Sequence, residues 1–172
     1  MSEHFTRALA RLDEVDALGE TRQELFYLHT VAREVERVAD HTECIATVVS
    51  ELEEPLSEGI TTELESLSEV TRDAVETAVD AVFAGGSVEA ARDVLDAKEA
   101  TLSDLESLER ELFEAQDADY RLVRVLDSLG QTVEHASRIA EAGLRQSICC
   151  DEDADVADDV ARTDGERQSS AT

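Results

Sequence analysis

Two acidic residues four positions apart, Glu36 and Asp40, are the first candidates for chemistry in this sequence. Residues i and i+4 lie on one face of an α-helix, so two such carboxylates can chelate one hard cation. Oxygen ligands suit Mg²⁺ or Mn²⁺, and also non-haem iron with bridging water. The spacing alone is not specific, because the 42 acidic residues form ten such pairs, about the number that chance produces. Only the surrounding sequence can single out Glu36 and Asp40.

The apolar pattern predicts an all-α protein. The chain has 172 residues, of which 42% are hydrophobic, with seven Gly and one Pro. Amphipathic stretches separated by capping and breaking residues predict helices over 3–18, 21–53, 57–84, 87–115 and 119–148. Long helices joined by short loops pack as antiparallel neighbours, so we expect an elongated up-and-down helical bundle. Residues 149–172 are acidic and polar without an apolar period, which predicts a disordered acidic tail.

The helix over 21–53 has a heptad-spaced stripe that we take as its core-facing side. The stripe consists of Leu28, Ala32, Val35, Ala39, Thr42, Ala46 and Val49. This assignment places Glu36, Asp40 and Glu43 on the flank of the helix. There they could meet a neighbouring helix or a partner, or simply form solvent-exposed ion pairs.

The charge of the chain excludes some functions. Its formal net charge is −27, and its 15 basic residues are fourteen Arg and the single Lys98. This composition is what we expect of a cytoplasmic protein from a high-salt organism, and it disfavours direct binding to nucleic acid or anionic lipid.

The N-terminus has no signal-peptide pattern, and no apolar run is long enough to cross a membrane. The three cysteines, Cys44, Cys149 and Cys150, have no CxxC spacing, which disfavours a disulfide scaffold or a thiolate zinc site, and Cys149 and Cys150 are expected to be free thiols.

Two of the predicted helices resemble each other at an offset of 94 residues. Residues 28–46 (LHTVAREVERVADHTECIA) and 122–140 (LVRVLDSLGQTVEHASRIA) agree in heptad phase and share an acidic–His pair, which predicts a duplicated helical unit. The identical positions are Leu28/Leu122, Val31/Val125, His41/His135, Ile45/Ile139 and Ala46/Ala140. Glu134 aligns with Asp40, whereas Gly130 stands where the first copy has Glu36.

Residues 35–46, VERVADHTECIA, resemble the signature helix of PhoU-like phosphate-uptake regulators, which reads roughly L-E-R-I-(G/A)-D-H-A-x-N-I-A. Residues 129–141 are similar to a degenerate second copy, and the resemblance spans about 22–148. It implies a fold of PhoU-like three-helix repeats, with a partial first repeat over 1–54 and a complete second repeat over 57–148. With the repeats placed in this way, we expect no N-terminal DNA-binding domain of the kind that some relatives carry.

The resemblance implies metal ligation by Glu36 and Asp40, because the family's metal motif is E/D-x-x-x-D on the signature helix. Glu134 is a weaker third ligand, since only one carboxylate remains in the second copy. The metal would be Mg, Mn, Fe or Zn. The two histidines of the repeat, His41 and His135, are expected on the surface rather than among the ligands. Lys98 falls on an apolar stripe, where a snorkelling side chain is favoured over an ion pair with an acid of the signature helix.

The function implied by the resemblance is an accessory regulator of phosphate uptake without catalytic activity. It would act through contacts with subunits of an ABC-type phosphate importer or with a signalling protein. The alternative is a helical interaction or homodimerisation module that has lost metal binding and the phosphate role. A carboxylate-bridged di-metal enzyme is a third class of function, but this sequence lacks the histidine ligands usual for such metal sites.

Overall fold

The computed structural model describes residues 22–53, 55–83, 87–114 and 119–169, with side chains described for 25–53, 55–83, 87–114 and 119–145. The helices within these ranges are α1 (Arg22–Ser50), α2 (Glu58–Phe83), α3 (Val88–Glu114) and α4 (Arg121–Ser169). The described chain contains no strand. The predicted all-α up-and-down bundle is confirmed. The predicted helix over 3–18 lies outside the described residues.

The starts of three helices are fixed by side chains that accept backbone hydrogen bonds. The Ser57 hydroxyl accepts from the Ile60 amide at 3.4 Å, and the Ser87 hydroxyl accepts from the Ala90 amide at 3.1 Å. Each serine satisfies one of the amides that a helix start leaves without a partner. Asp119 does the same for the Arg121 amide at 3.0 Å.

Helix α4 is the centre of the bundle, because it packs against each of the other three helices. Every member of its predicted apolar stripe is buried, and so are polar residues on its other sides. The predicted stripe comprises Leu122, Leu126, Leu129, Val133, Ala136, Ala140 and Gly143. The additional buried polar residues are Ser128, Thr132, His135 and Ser137. A helix with neighbours on several sides buries more than one stripe, which a periodicity argument does not anticipate.

The core has two regions of different composition. One is rich in alanine and takes residues from all four helices, and its largest fully buried side chain is Ile139. The other is rich in leucine and lies around Leu105, Leu122 and Leu126. Small residues in the first region allow the helices to approach closely. A Cβ added to Gly143 would lie 3.2 Å from Val82 Cγ2, whereas one added to Gly130 would meet only ordinary contacts with α3.

The predicted core face of α1 is wrong by one residue position. The buried residues of this helix are Leu25, Val31 and Val48, whereas Val35 is 40% exposed and Val49 is 53% exposed. The half-buried positions Glu34, Val38, His41 and Ile45 complete the stripe that faces the bundle. The physical reason is that two polar residues occupy this face, and their burial is compensated by partners on α4 described below.

The predicted helix end at 148 is also wrong, because the α4 backbone continues as helix to Ser169. Residues 146–169 contain no Pro and only one Gly, so nothing in them terminates a helix by backbone chemistry. The division that sets 149–172 apart from the bundle stays a prediction, since side chains beyond Arg145 lie outside the described residues. Cys149 and Cys150 fall in that part.

Candidate functional site

The predicted carboxylate ligands lie on two different sides of the bundle. Glu36 and Asp40 are exposed on α1. Glu134 lies on the side of α4 that faces α3, where its Oε2 accepts a hydrogen bond from Lys98 Nζ at 3.0 Å. Lys98 therefore forms an ion pair with an acid of the segment that resembles the second signature copy, and the expected snorkelling side chain is wrong. The structure does not bring Glu134 together with Glu36 and Asp40.

Metal ligation by Glu36 and Asp40 stays a prediction. Within the described residues, no group of three or more His, Cys, Asp or Glu side chains is arranged so that it could hold a metal ion. A pair of exposed carboxylates one turn apart offers fewer ligands than the six oxygens that Mg²⁺ prefers, so water would complete the shell. Such a site would be weak and exchangeable.

Substituting both Glu36 and Asp40 by Ala is expected to remove saturable Mn²⁺ binding, if these carboxylates are the ligands. Titration of the full chain in molar salt, followed by water-proton relaxation, measures this directly. The matched control is Glu65→Ala/Glu69→Ala, an exposed i,i+4 pair on α2. Equal Mn²⁺ binding by wild type and by the Glu36/Asp40 variant would remove these residues as ligands.

A cluster that the sequence analysis did not predict lies between α1 and α4. His135, expected on the surface, is 6% exposed, and its Nδ1 lies 2.6 Å from Glu34 Oε2. Arg138 approaches the same carboxylate oxygen at 3.6 Å and the same imidazole nitrogen at 3.3 Å. Glu34 therefore holds an imidazole and a guanidinium of the neighbouring helix in place. The expectation of a surface His135 is wrong because this carboxylate makes burial of the imidazole possible.

The two histidines that the predicted repeat alignment pairs meet at this interface. The rings of His41 and His135 are stacked, with centroids 5.4 Å apart and planes 28° from parallel. Burial lowers the pKa of His41 below its ordinary value, and the neighbouring His135 lowers it further. The carboxylates of Asp127 and Asp40 act in the opposite direction, but the net direction is downward. His41 thus favours its neutral form more than a free histidine does.

An open groove of about 550 Å³ runs beside this cluster. We call it the α1–α4 groove, and its lining residues are Arg33, Glu34, Arg37, His41, Asp127, Gln131, His135 and Arg138. Three guanidinium groups and two imidazoles face two carboxylates there. In a chain with a net charge of −27, this is a local excess of positive charge. Guanidinium forks and ring N–H groups are donors suited to binding an anion.

Part of this cluster carried a signal in the sequence. The repeat alignment pairs His41 with His135 and so marked the two positions that stack. Nothing comparable marked Glu34, which lies 101 residues from His135 along the chain. In the sequence, an acid such as Glu34 on an apolar helix face only interrupts the hydrophobic stripe. Its partner on another helix cannot be identified from the local pattern.

In comparisons with known proteins, the chain matches no protein-family model, no curated protein and no solved structure. Membership of the PhoU-like family therefore rests on the resemblance of residues 35–46 and stays a prediction. Among the helices in the described ranges, none combines the length and apolar character that a membrane span needs.

Proposed function

We propose that this protein is a PhoU-like accessory regulator of phosphate uptake, cytoplasmic and without catalytic activity, that acts through contacts with other proteins. The observation that carries the proposal is the pairing of α1 with α4. These are the two helices with the signature-like segments, and they pack side by side. Their matched histidines stack, so the two segments that carry the resemblance lie side by side rather than in separate parts of the bundle.

The α1–α4 pair runs antiparallel, with polar contacts along its length. Near one end an Arg121 guanidinium donates to the Glu51 carbonyl, in the middle Arg124 contacts Cys44 Sγ at 3.7 Å, and further along Glu34 meets His135. Helix α1 packs mainly on α4 and leaves a wide face open to solvent. That open face is where importer subunits or a signalling protein would bind.

Deleting the gene in the source organism tests the proposal, with uptake of radiolabelled phosphate measured in phosphate-replete and phosphate-limited cells. We expect the deletion to weaken the normal repression of uptake in replete medium, and the wild-type gene to restore it. Affinity capture of the tagged protein should recover phosphate-importer subunits or a phosphate-signalling protein. Uptake that responds normally to phosphate without the gene would overturn the proposal.

A second candidate function is that of a helical interaction module, and the exposed stripe of α1 favours it. Val35 and Val49 are both 40% or more exposed, and the heptad spacing of the stripe on which they lie suits pairing with a second copy of α1. Light scattering after size exclusion should then give a dimer mass that Val35→Glu lowers and Val70→Glu, at an exposed valine of α2, does not. A monomeric wild type excludes the homodimer.

A further inference from the structure

We propose that the α1–α4 groove binds a compact phosphate group, either as the free ion or as a phosphate monoester. The inference is carried by the residues of the groove. It deepens the proposed function, and rests on it only for the role that the bound ligand would play. Three features of the groove support phosphate binding: the sign of its local charge, the availability of its donors and their arrangement around the opening.

The local charge of the groove is opposite to that of the chain. Acidic residues outnumber basic ones 42 to 15 over the whole sequence. Among the residues that line the groove, by contrast, Arg33, Arg37 and Arg138 outnumber the acids Glu34 and Asp127. The two imidazoles add further N–H donors without adding negative charge. Such a reversal suits a small anion that fits inside the groove. A long polyanion would also meet the acidic surface outside it.

The guanidinium groups of α1 are available to a ligand. Within the described residues, Arg33 and Arg37 make no ion pair, whereas Arg72, Arg121 and Arg145 each lie within 4.0 Å of a carboxylate. Of the two acids that line the groove, Glu34 is occupied by His135 and Arg138 and is 18% exposed. The Glu34 carboxylate therefore holds the α4 side chains of the groove in place, and it neutralises the charges of Arg33 and Arg37 to a smaller extent.

The donors approach the opening from two helices. Arg33 and Arg37 lie one turn apart on α1, and Arg138 lies on α4 with a side chain that is 51% exposed. Arginine forks bind carboxylates and phosphates in bidentate fashion. Three forks on two sides offer more donors than a single carboxylate can accept. A phosphate group, with three or four acceptor oxygens and up to two negative charges, matches the set better.

The test is a titration of the full chain with sodium phosphate, followed by NMR of the arginine Nε–H and histidine ring signals. Ionic strength is held constant in molar NaCl, so that general screening does not change. We expect saturable shifts at the groove residues, and Arg37→Gln or Arg138→Gln should raise Kd by about tenfold. Arg72→Gln on α2 and Arg145→Gln on α4 are matched exposed controls and should change Kd by less than about twofold.

Parallel titrations with glycerol 3-phosphate and with sodium acetate define the ligand class. Tighter binding of the monoester assigns the site to an organic phosphate, and tighter binding of phosphate assigns it to the free ion. Equal shifts with acetate, no saturation with either phosphate, or an equal loss in Arg145→Gln would overturn the proposal. Phosphate binding without an uptake phenotype would overturn only the proposed function. An uptake phenotype without binding would overturn only this inference.

Discussion

Replacing Ile139 by Ala is expected to lower the free energy of unfolding by about 3 kcal/mol, within the 2–5 kcal/mol typical of such truncations. Ile139 has no exposed surface and lies in the alanine-rich part of the core, to which all four helices contribute. Its neighbours are mostly small and already close to one another, so they cannot move in to fill the space. The lost contacts and the remaining cavity therefore both lower the free energy of unfolding.

Urea unfolding at constant molar salt measures this effect. Ile139→Val should cost only about 1 kcal/mol, because most of the side chain remains. The control is Val70→Ala, at a valine that is 44% exposed on α2, which should change stability by less than about 0.5 kcal/mol. A loss below about 1 kcal/mol for Ile139→Ala would contradict the central position of α4.

Replacing Glu34 by Ala is expected to cost about 1–3 kcal/mol, because it leaves the buried His135 imidazole without its carboxylate partner. The Glu34 side chain is 18% exposed and the His135 side chain 8%, so solvent replaces the lost interaction poorly. Arg138 would lose the same carboxylate oxygen. Glu34→Gln keeps an acceptor in place and should cost less than the Ala substitution.

A double-mutant cycle separates this contact from general effects of charge. Glu34→Ala and His135→Phe, measured singly and together by urea unfolding, should show a coupling of about 1 kcal/mol or more. Glu43→Ala, at an exposed acid on the same helix, should show no coupling with His135→Phe. Additive effects of Glu34→Ala and His135→Phe would mean that the two side chains are not partners.

Much of the bundle follows from the apolar pattern. In α2, Leu67, Thr71, Ala78 and Ala81 recur at helical spacing, and all of them are buried. In α3, Ala91, Leu105 and Leu112 also share one helix face and are buried as well. These helices cover the core with apolar side chains, and for such a helix the 3.6-residue period predicts the buried face.

The apolar pattern does not predict the buried face of α1. The inward face of this helix includes Glu34 and His41, whereas Ala39, Thr42 and Ala46 lie on the outside. Periodicity counts small residues as core and charged residues as surface. The actual choice depends on His135 and Arg138, about a hundred residues away in sequence, which give Glu34 its partners. The same long-range pairing created the groove, and so the candidate site could not be predicted from local pattern.

The whole site depends on which face of α1 packs against α4. Two neighbouring valines test this orientation directly. Val48 has no exposed surface, whereas Val49 is 53% exposed. Urea unfolding should show a loss of about 2 kcal/mol for Val48→Ala and less than about 0.5 kcal/mol for Val49→Ala. The opposite order, with Val49→Ala the costly change, would put the heptad stripe in the core, turn Glu34 and His41 away from α4, and contradict the site.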